Sequence, residues 1–252
     1  MYPDLLGTYG DSGNAQVLAV RARMRGLLPE LVRIDANDSI CDDADIYVLG
    51  GGEDGPQQTA VSLAIKDGGL HRAFERGAQF LAICAGFQIM GESFSTSVSP
   101  ETPGLGLIPV ITRRSTSRRC VGELLLDPDP SLGIGLVSGY ENHGGVSEIL
   151  TGKPLGKVLF GIGNSHGDKV DGYLSDTVIA SYGHGPLLAR NPGLCDVLLG
   201  RVAGADLGPL LDDLSQSSVL DLRHERISAV GRRHLDHLKR WIPPLTKSLK
   251  KI

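Results

Sequence analysis

The chain has 252 residues, a formal net charge of −4 and a pI near 6.0. This length fits one large α/β domain, or one domain with an appendage, and the charge leaves no overall basic surface for nucleic acid. No apolar run approaches the roughly 20 residues that span a bilayer, and residues 1–25 lack the layout of a secretory signal. We therefore expect a cytoplasmic protein with no nucleic-acid partner and no membrane insertion.

The first 95 residues alternate between helical and extended patterns. A loop of turn-forming residues at 7–14 precedes a helical pattern that ends at Gly26. The segments predicted after it are strands at 31–34, 45–49 and 79–83 and helices near 57–67 and 69–76. This alternation predicts right-handed crossovers and an α/β fold with a mainly parallel sheet. Reactive groups in such sheets lie at the carboxyl ends of strands.

The middle of the chain changes to short extended segments separated by glycines. These segments are 104–111, 119–126, 134–140, 157–163 and 177–182. They indicate a mixed-sheet elaboration of the α/β domain. Helices are predicted near 192–202 and at 219–240, with a linker-like stretch at 204–218 between them. We expect one domain over 1–203 and a C-terminal helical extension over 204–252 that packs on it.

Cys84 follows the hydrophobic run 79–83 and opens a turn of small residues that leads into a helix. A thiol at such a turn is close to free helical N–H groups, which stabilise a thiolate and can receive an oxyanion. This pattern predicts a nucleophile. The alternative is a small buried hydrophobic residue. The cysteines as a set have no C-x-x-C spacing, which argues against a zinc site or a disulfide framework, and no metal is expected.

His184 lies between glycines where the extended run 178–181 ends. An imidazole there can deprotonate a thiol and later protonate a leaving amine, which is the Cys–His arrangement of acyl transfer. A loop histidine without a role is the alternative.

Two glycine-rich runs complete the candidate site. Gly51 and Gly52 follow a buried strand, and a backbone N–H there, beside that of Ala85, would form an oxyanion hole. Phosphate binding would also suit such a turn, but the chain has neither a P-loop nor a dinucleotide-binding pattern. The polar and glycine-rich run at 139–145 is typical of a substrate-facing loop, with an ordinary turn as the alternative.

Five short runs carry a family resemblance. They are Gly-Gly-Gly-Glu-Asp at 50–54, Cys-Ala-Gly-Phe-Gln at 84–88, Gly-Leu-Gly-Leu at 104–107, Tyr-Glu-Asn-His-Gly-Gly at 140–145 and Tyr-Gly-His-Gly-Pro at 182–186. In order and spacing they resemble the class I glutamine amidotransferases of the cobyric acid synthase type. The resemblance covers residues 2 to about 202 and implies a flavodoxin-like α/β fold, with a mixed, mainly parallel sheet flanked by helices.

Within that type, the run at 7–14 and the Gly-Tyr-Glu-Asn-His-Gly-Gly run at 139–145 are most similar to the small stand-alone amidotransferase subunits of lipid II isoglutaminyl synthase. The resemblance implies hydrolysis of L-glutamine to glutamate and ammonia, and a heterodimer with a MurT-like synthetase related to Mur ligases. That partner would use ATP and Mg to amidate the D-glutamate α-carboxyl of lipid II during peptidoglycan synthesis, which shapes the cell wall. No cofactor is then expected in this chain, and the partner would handle the lipid-linked acceptor.

The resemblance also assigns roles to residues. Cys84 would attack the glutamine side-chain amide, and His184 would act as base and then as acid. The oxyanion would be held by backbone N–H groups of Gly51 or Gly52 and of Ala85. The expected substrate-binding residues are Gln88, Asn142, His143 and Arg119. A guanidinium suits the glutamine α-carboxylate, although Arg118 is adjacent to Arg119.

The chain departs from the family pattern in two places. Many class I amidotransferases carry a glutamate two residues after the histidine, where this chain has Pro186. The orienting acid then has three open sources: the partner, another part of this chain, or none. A missing acid predicts a weak isolated glutaminase that the partner activates. The start is also short, so either an upstream start exists or the sheet lacks part of an edge strand.

Two other functions remain open. One is an amidotransferase for a cobalamin-type macrocycle, which is disfavoured because that unit is normally fused behind an ATP-binding domain. The other is a non-catalytic interaction module of the same fold, which is disfavoured because the thiol, the histidine, the glycines and the substrate loop are all present.

Overall fold

The computed structural model describes residues 1–97, 99–208 and 214–231. The helices are α1 Gly13–Met24, α2 Asp54–Asp67, α3 Gly69–Glu75, α4 Ala85–Met90, α5 Leu187–Arg190, α6 Pro192–Ala203 and α7 Leu214–Gly231, with a 3-10 turn at Pro130–Leu132. The strands are β1 Ile46–Leu49, β2 Gln79–Ile83, β3 Ser93–Phe94, β4 Thr102–Pro103, β5 Val110–Arg114, β6 Cys120–Pro128, β7 Val137–His143, β8 Gly145–Ile149, β9 Gly156–Phe160, β10 Val170–Asp171, β11 Tyr173–Leu174 and β12 Val178–Ser181.

The central sheet has the strand order β1-β2-β12-β11, in which the first three strands are parallel and β11 is antiparallel. All residues of β2 and β12 are buried, since such a sheet is covered on both faces and its strands are almost continuously apolar. This confirms the predicted mixed, mainly parallel sheet flanked by helices.

Two further sheets arise from the glycine-punctuated middle of the chain. Their strand orders are β10-β9-β6-β7 and β4-β3-β5-β8, and most of their pairings are antiparallel. In the first of them, Cys120 at the start of β6 pairs with His143 at the end of β7. The two predicted substrate-binding segments therefore lie side by side.

One predicted strand is wrong. The segment 31–34 has no strand structure: Leu31 and Val32 are exposed, and only Ile34 is buried. The backbone carbonyl of Ile34 accepts a hydrogen bond from the N–H of Tyr2 at 2.7 Å. This single bond stands where a strand would have a ladder of backbone hydrogen bonds.

A second prediction has the wrong extent. The segment 104–111 is extended only from Val110 onward, because the N–H groups of Leu105 and Leu107 bond to the carbonyls of Ile89 and Met90 in α4. Backbone hydrogen bonds therefore hold this part of the segment against the end of α4, and strand pairing begins only at β5.

The chain divides into two units, 1–212 and 213–252, and the second contains α7. The helix predicted at 219–240 is present over the part that lies in α7, and residues 232–240 lie outside the described residues. The domain boundary after residue 203 and the packing of the extension stay predictions. Among the described helices, none has the length and apolar character needed to cross a membrane.

Candidate active site

Three neighbouring parallel strands end at the same edge of the central sheet. Strand β1 leads into the glycines at 50–52, β2 into Cys84, and β12 toward His184. The N–H of Cys84 donates to the carbonyl of Ser181 at 2.9 Å, and the N–H of Gly86 donates to that of Gly50 at 3.0 Å. The strand ends are therefore held in contact, and the predicted nucleophile, base and oxyanion glycines lie together.

Cys84 occupies a strained turn between β2 and α4. Its backbone has φ 52° and ψ −104°, a region that residues with a side chain rarely adopt. Gly86 makes the turn possible, because a Cβ there would lie 2.7 Å from both Cβ and O of Leu49. Such a strained strand-to-helix turn is the arrangement that exposes a nucleophile at the sheet edge in hydrolases.

His184 is held on two sides. Its backbone N–H and C=O pair with the backbone of Tyr140 at 2.8 and 3.1 Å. Its Nδ1 donates to Oδ2 of Asp11 at 2.7 Å, and both side chains are almost fully buried. The same Oδ2 accepts the N–H of Gly51 at 2.8 Å. A carboxylate bonded to Nδ1 fixes the tautomer and the orientation of the ring, which leaves Nε2 for the thiol.

Asp11, the hydrogen-bond partner of His184, is a residue that the sequence patterns did not indicate. It lies 173 positions before His184, within the glycine-rich loop at 7–14. Of the three open sources for the orienting acid, the structure supplies one within this chain. The available signal was a lone carboxylate in a loop of turn-forming residues, but its partner could not be inferred from spacing. An oriented imidazole also removes the reason to expect a weak isolated glutaminase.

The electrostatics of His184 favour the imidazolium. Burial alone lowers the pKa of His184, but hydrogen bonds to Asp11 and Cys84 and their charges outweigh burial and raise this pKa to about 10. Nε2 of His184 is buried and makes no geometrically defined hydrogen bond among the described residues. The ring is therefore protonated at neutral pH, and its positive charge lies next to the Cys84 side chain.

The structure gives Gly51 a different role from the expected one. Its N–H is bonded to Asp11, and a Cβ on it would lie 2.6 Å from Cε1 of His184, so glycine is needed for the close approach of the imidazole. Gly52 and Ala85 both line the cavity beside Cys84, and within the described residues no hydrogen bond uses their N–H groups. These two N–H groups are the remaining oxyanion-hole candidates.

A cavity of about 220 Å³ opens beside Cys84. All four expected substrate-binding residues line it, and so do residues that the sequence analysis did not identify, among them Tyr9, Glu53, Asp54, Gln57 and Arg114. Most of the lining is polar, and it includes both acidic and basic side chains. A small zwitterionic molecule fits this character.

Arg119 is oriented by a chain of hydrogen bonds. Its Nε donates to Oδ1 of Asn142 at 2.6 Å and its Nη2 to the Asn142 carbonyl at 3.1 Å. The amide nitrogen of Asn142 donates in turn to the hydroxyl of Tyr9 at 2.6 Å. One edge of the guanidinium is therefore occupied, and the other can bind a carboxylate through two parallel hydrogen bonds. Asn142 acts here by orienting Arg119.

Gln88 and His143 line the cavity, and both contact the buried Tyr182. The amide of Gln88 donates to the Tyr182 hydroxyl at 3.1 Å and accepts from Nε2 of Gln57 at 2.8 Å. The His143 ring stacks on Tyr182 with centroids 3.6 Å apart, and burial lowers the pKa of His143. Nδ1 of His143 lies 2.9 Å from the Gly145 carbonyl. These contacts fit a neutral His143 that supports the lining of the cavity.

Cys120 is the other thiol with a histidine nearby. Its Sγ lies 3.8 Å from Nε2 of His166. Burial and the charge of Glu141 raise the pKa of Cys120 to about 11, and Cys120 does not line the cavity beside Cys84. A thiol with so high a pKa is protonated at neutral pH, which makes Cys120 the weaker candidate nucleophile.

Comparison with known proteins defines the class. The CobB/CobQ-like glutamine amidotransferase domain matches residues 1–192, and the chain belongs to this family of glutamine amidotransferases. A solved structure described as a glutamine amidotransferase has a TM-score of 0.54 at 20% identity and covers 75% of this chain and 93% of that chain. At that identity the likeness supports the fold alone.

Curated relatives give a finer comparison. The GatD subunit of the glutamine-hydrolysing lipid II isoglutaminyl synthase of Staphylococcus aureus is 35% identical, over 79% of this chain and 80% of the relative. The Streptococcus pneumoniae GatD subunit is 32% identical, over 77% and 75%. Cobyric acid synthase of Streptomyces avermitilis is 30% identical, but the match covers only 34% of that longer protein. The chain is thus similar to the GatD subunits along most of their length.

The substitution Asp11→Asn is expected to lower kcat by about 100- to 10,000-fold, as loss of an orienting carboxylate does in related triads. It also removes the carboxylate that raises the pKa of His184, so the alkaline limb of the kcat/KM profile should move to lower pH. The pH–rate profile of the variant, with its melting temperature as the folding control, tests both effects. An unchanged alkaline limb would contradict the proposed pairing.

Arg119→Ala is expected to raise KM for glutamine and lower kcat/KM by roughly 10- to 150-fold, because a bidentate contact to a charged group contributes about 1.5–3 kcal/mol. Arg118→Ala is the matched control and should change little, since Arg118 does not line the cavity. Steady-state kinetics on both variants decide this. A large effect at Arg118 together with none at Arg119 would reverse the assignment.

Proposed function

We propose that this chain is a glutaminase subunit that hydrolyses L-glutamine to glutamate and ammonia and delivers the ammonia to a separate synthetase. The observation that supports this most directly is the buried hydrogen bond from His184 to Asp11 beside the strained Cys84, which lines the same cavity as Arg119. These groups match the needs of acyl transfer from an amino-acid amide.

The proposed reaction has two stages. The Cys84 thiolate attacks the side-chain carbonyl carbon of glutamine, a C–S bond forms, and the N–H groups of Gly52 and Ala85 hold the oxyanion. Protonated His184 then gives its proton to the departing nitrogen, the C–N bond breaks, and ammonia leaves a thioester on Cys84. His184 next removes a proton from water, the hydroxide attacks the thioester carbon, and the C–S bond breaks, which releases glutamate and restores the Cys84 thiolate beside protonated His184.

The proposed acceptor is the α-carboxyl of D-glutamate in lipid II. Similarity to two GatD subunits along about four-fifths and three-quarters of their lengths supports this assignment. The synthetase partner would be a MurT-like subunit that binds ATP and Mg and handles the lipid-linked substrate, so this chain needs no cofactor of its own. A cytoplasmic heterodimer acting in peptidoglycan synthesis, and through it on cell shape, completes the proposal.

Two alternatives have less support. An amidotransferase for a cobalamin-type macrocycle would resemble cobyric acid synthases, but the match spans about a third of such a protein. A non-catalytic interaction module would have no need for a strained cysteine or for a fully buried carboxylate on the histidine. The strained Cys84 backbone and the buried Asp11 carboxylate both destabilise the folded chain. A catalytic role explains their presence better than a purely structural one.

Replacement of the nucleophile tests the glutaminase activity. Cys84→Ser is expected to abolish glutamine hydrolysis by the isolated chain and leave its melting temperature nearly unchanged, because the imidazole that activates a thiol does not ionise an alcohol. Cys120→Ser is the matched control and should retain activity. Near wild-type turnover in Cys84→Ser with loss in Cys120→Ser would make Cys120 the nucleophile.

The nitrogen source tests the delivery of ammonia. In the complex with the synthetase, Cys84→Ala is expected to lose glutamine-dependent amidation of lipid II and to keep amidation driven by high ammonium with ATP. Ammonium bypasses the glutaminase, so only the first activity depends on the thiol. Equal loss with both nitrogen sources would mean that Cys84 serves assembly of the complex and not nitrogen donation.

A further inference from the structure

Asp54 is a carboxylate in the active-site cavity that the proposed reaction does not use. It is the first residue of α2, only partly exposed, and it lines the same cavity as Cys84 and Arg119. Its Oδ2 accepts the backbone N–H of Ser97 at 2.6 Å. The side chain is therefore held in place at the cavity wall.

The charge of Asp54 is maintained by its surroundings. Burial alone raises its pKa, but hydrogen bonds from Ser97 and the positive charges of Arg114 and Arg119 outweigh burial and lower the pKa. Both arginines line the cavity as well. The lining of this small cavity thus includes a held carboxylate whose charge interacts with the guanidinium of Arg119.

We propose that Asp54 binds the α-ammonium group of the substrate while Arg119 binds its α-carboxylate. This inference rests on the proposed glutaminase function and adds a specificity-determining residue to it. The two charged groups of an α-amino acid are attached to one carbon, so their protein partners must face the same small space, and Asp54 and Arg119 line one cavity of about 220 Å³. A site with both charges selects an amino acid over a carboxylate amide that lacks the ammonium.

Glu53 is the competing carboxylate, and it fits less well. It also lines the cavity, but its side chain is exposed, and no hydrogen bond to its carboxylate occurs among the described residues. An unanchored, solvated carboxylate gives little selectivity. Glu53 is therefore a matched control that differs from Asp54 in anchoring and not in charge.

The test compares two substrates, L-glutamine and glutaramate, which is glutamine without its α-amino group. Asp54→Asn should lower kcat/KM for glutamine by about 10- to 100-fold, mainly through KM, because a charge-assisted hydrogen bond is lost. The same variant should hydrolyse glutaramate as well as the wild type does, since glutaramate has no ammonium to lose. Glu53→Gln should lower kcat/KM for glutamine far less than Asp54→Asn does, and without a difference between the two substrates.

Each outcome separates one explanation from another. Equal losses on both substrates would mean that Asp54 only holds Arg119 or α2 in place, and would overturn the inference. Unchanged kinetics on glutamine would overturn it as well. If Glu53→Gln shows the glutamine-specific loss instead, the ammonium binds there. A wild-type chain that hydrolyses neither substrate, alone or with its synthetase, would refute the proposed function itself.

Discussion

The hydrogen bond between Asp11 and His184 is the interaction on which the site depends. It joins a loop near the start of the chain to the end of a central strand, and both partners are buried away from water. Removing one partner of such a pair leaves an uncompensated buried group, which costs far more than an exposed pair. The same carboxylate oxygen accepts the N–H of Gly51, so one atom positions the imidazole and the turn beside it.

The loop at 7–14 also reaches the substrate cavity. Tyr9 lies two residues before Asp11, its ring centroid is 4.7 Å from that of His184, and its hydroxyl accepts from the amide of Asn142, which orients Arg119. A single loop thus contacts the His184 imidazole through Asp11 and, through Tyr9 and Asn142, the guanidinium of Arg119. Displacement of this loop would move both groups together.

The fold divides the site between its sheets. The parallel sheet supplies Cys84 and His184 at its carboxyl edge, where rigid strand ends keep reacting groups at fixed separations. The β6–β7 pair supplies Arg119, Asn142 and His143 at or beside its strand ends. The sheet that positions Cys84 and His184 thus differs from the one that positions Arg119, whereas Gln88 reaches the cavity from α4, the helix that Cys84 opens.

Local sequence determined the elements whose signals lie within a few residues: the parallel strands, the small-residue turn at Cys84 and the glycine-flanked His184. The tertiary structure alone decided that Asp11 is the partner of His184, because no periodicity relates residues 173 positions apart. It also decided that 31–34 forms no strand. A strand needs a neighbouring strand edge to pair with, and this segment has only the hydrogen bond from the Tyr2 N–H to the Ile34 carbonyl. The reason for a glycine at position 51 is likewise visible only in the tertiary structure, where the His184 imidazole lies too close for a Cβ.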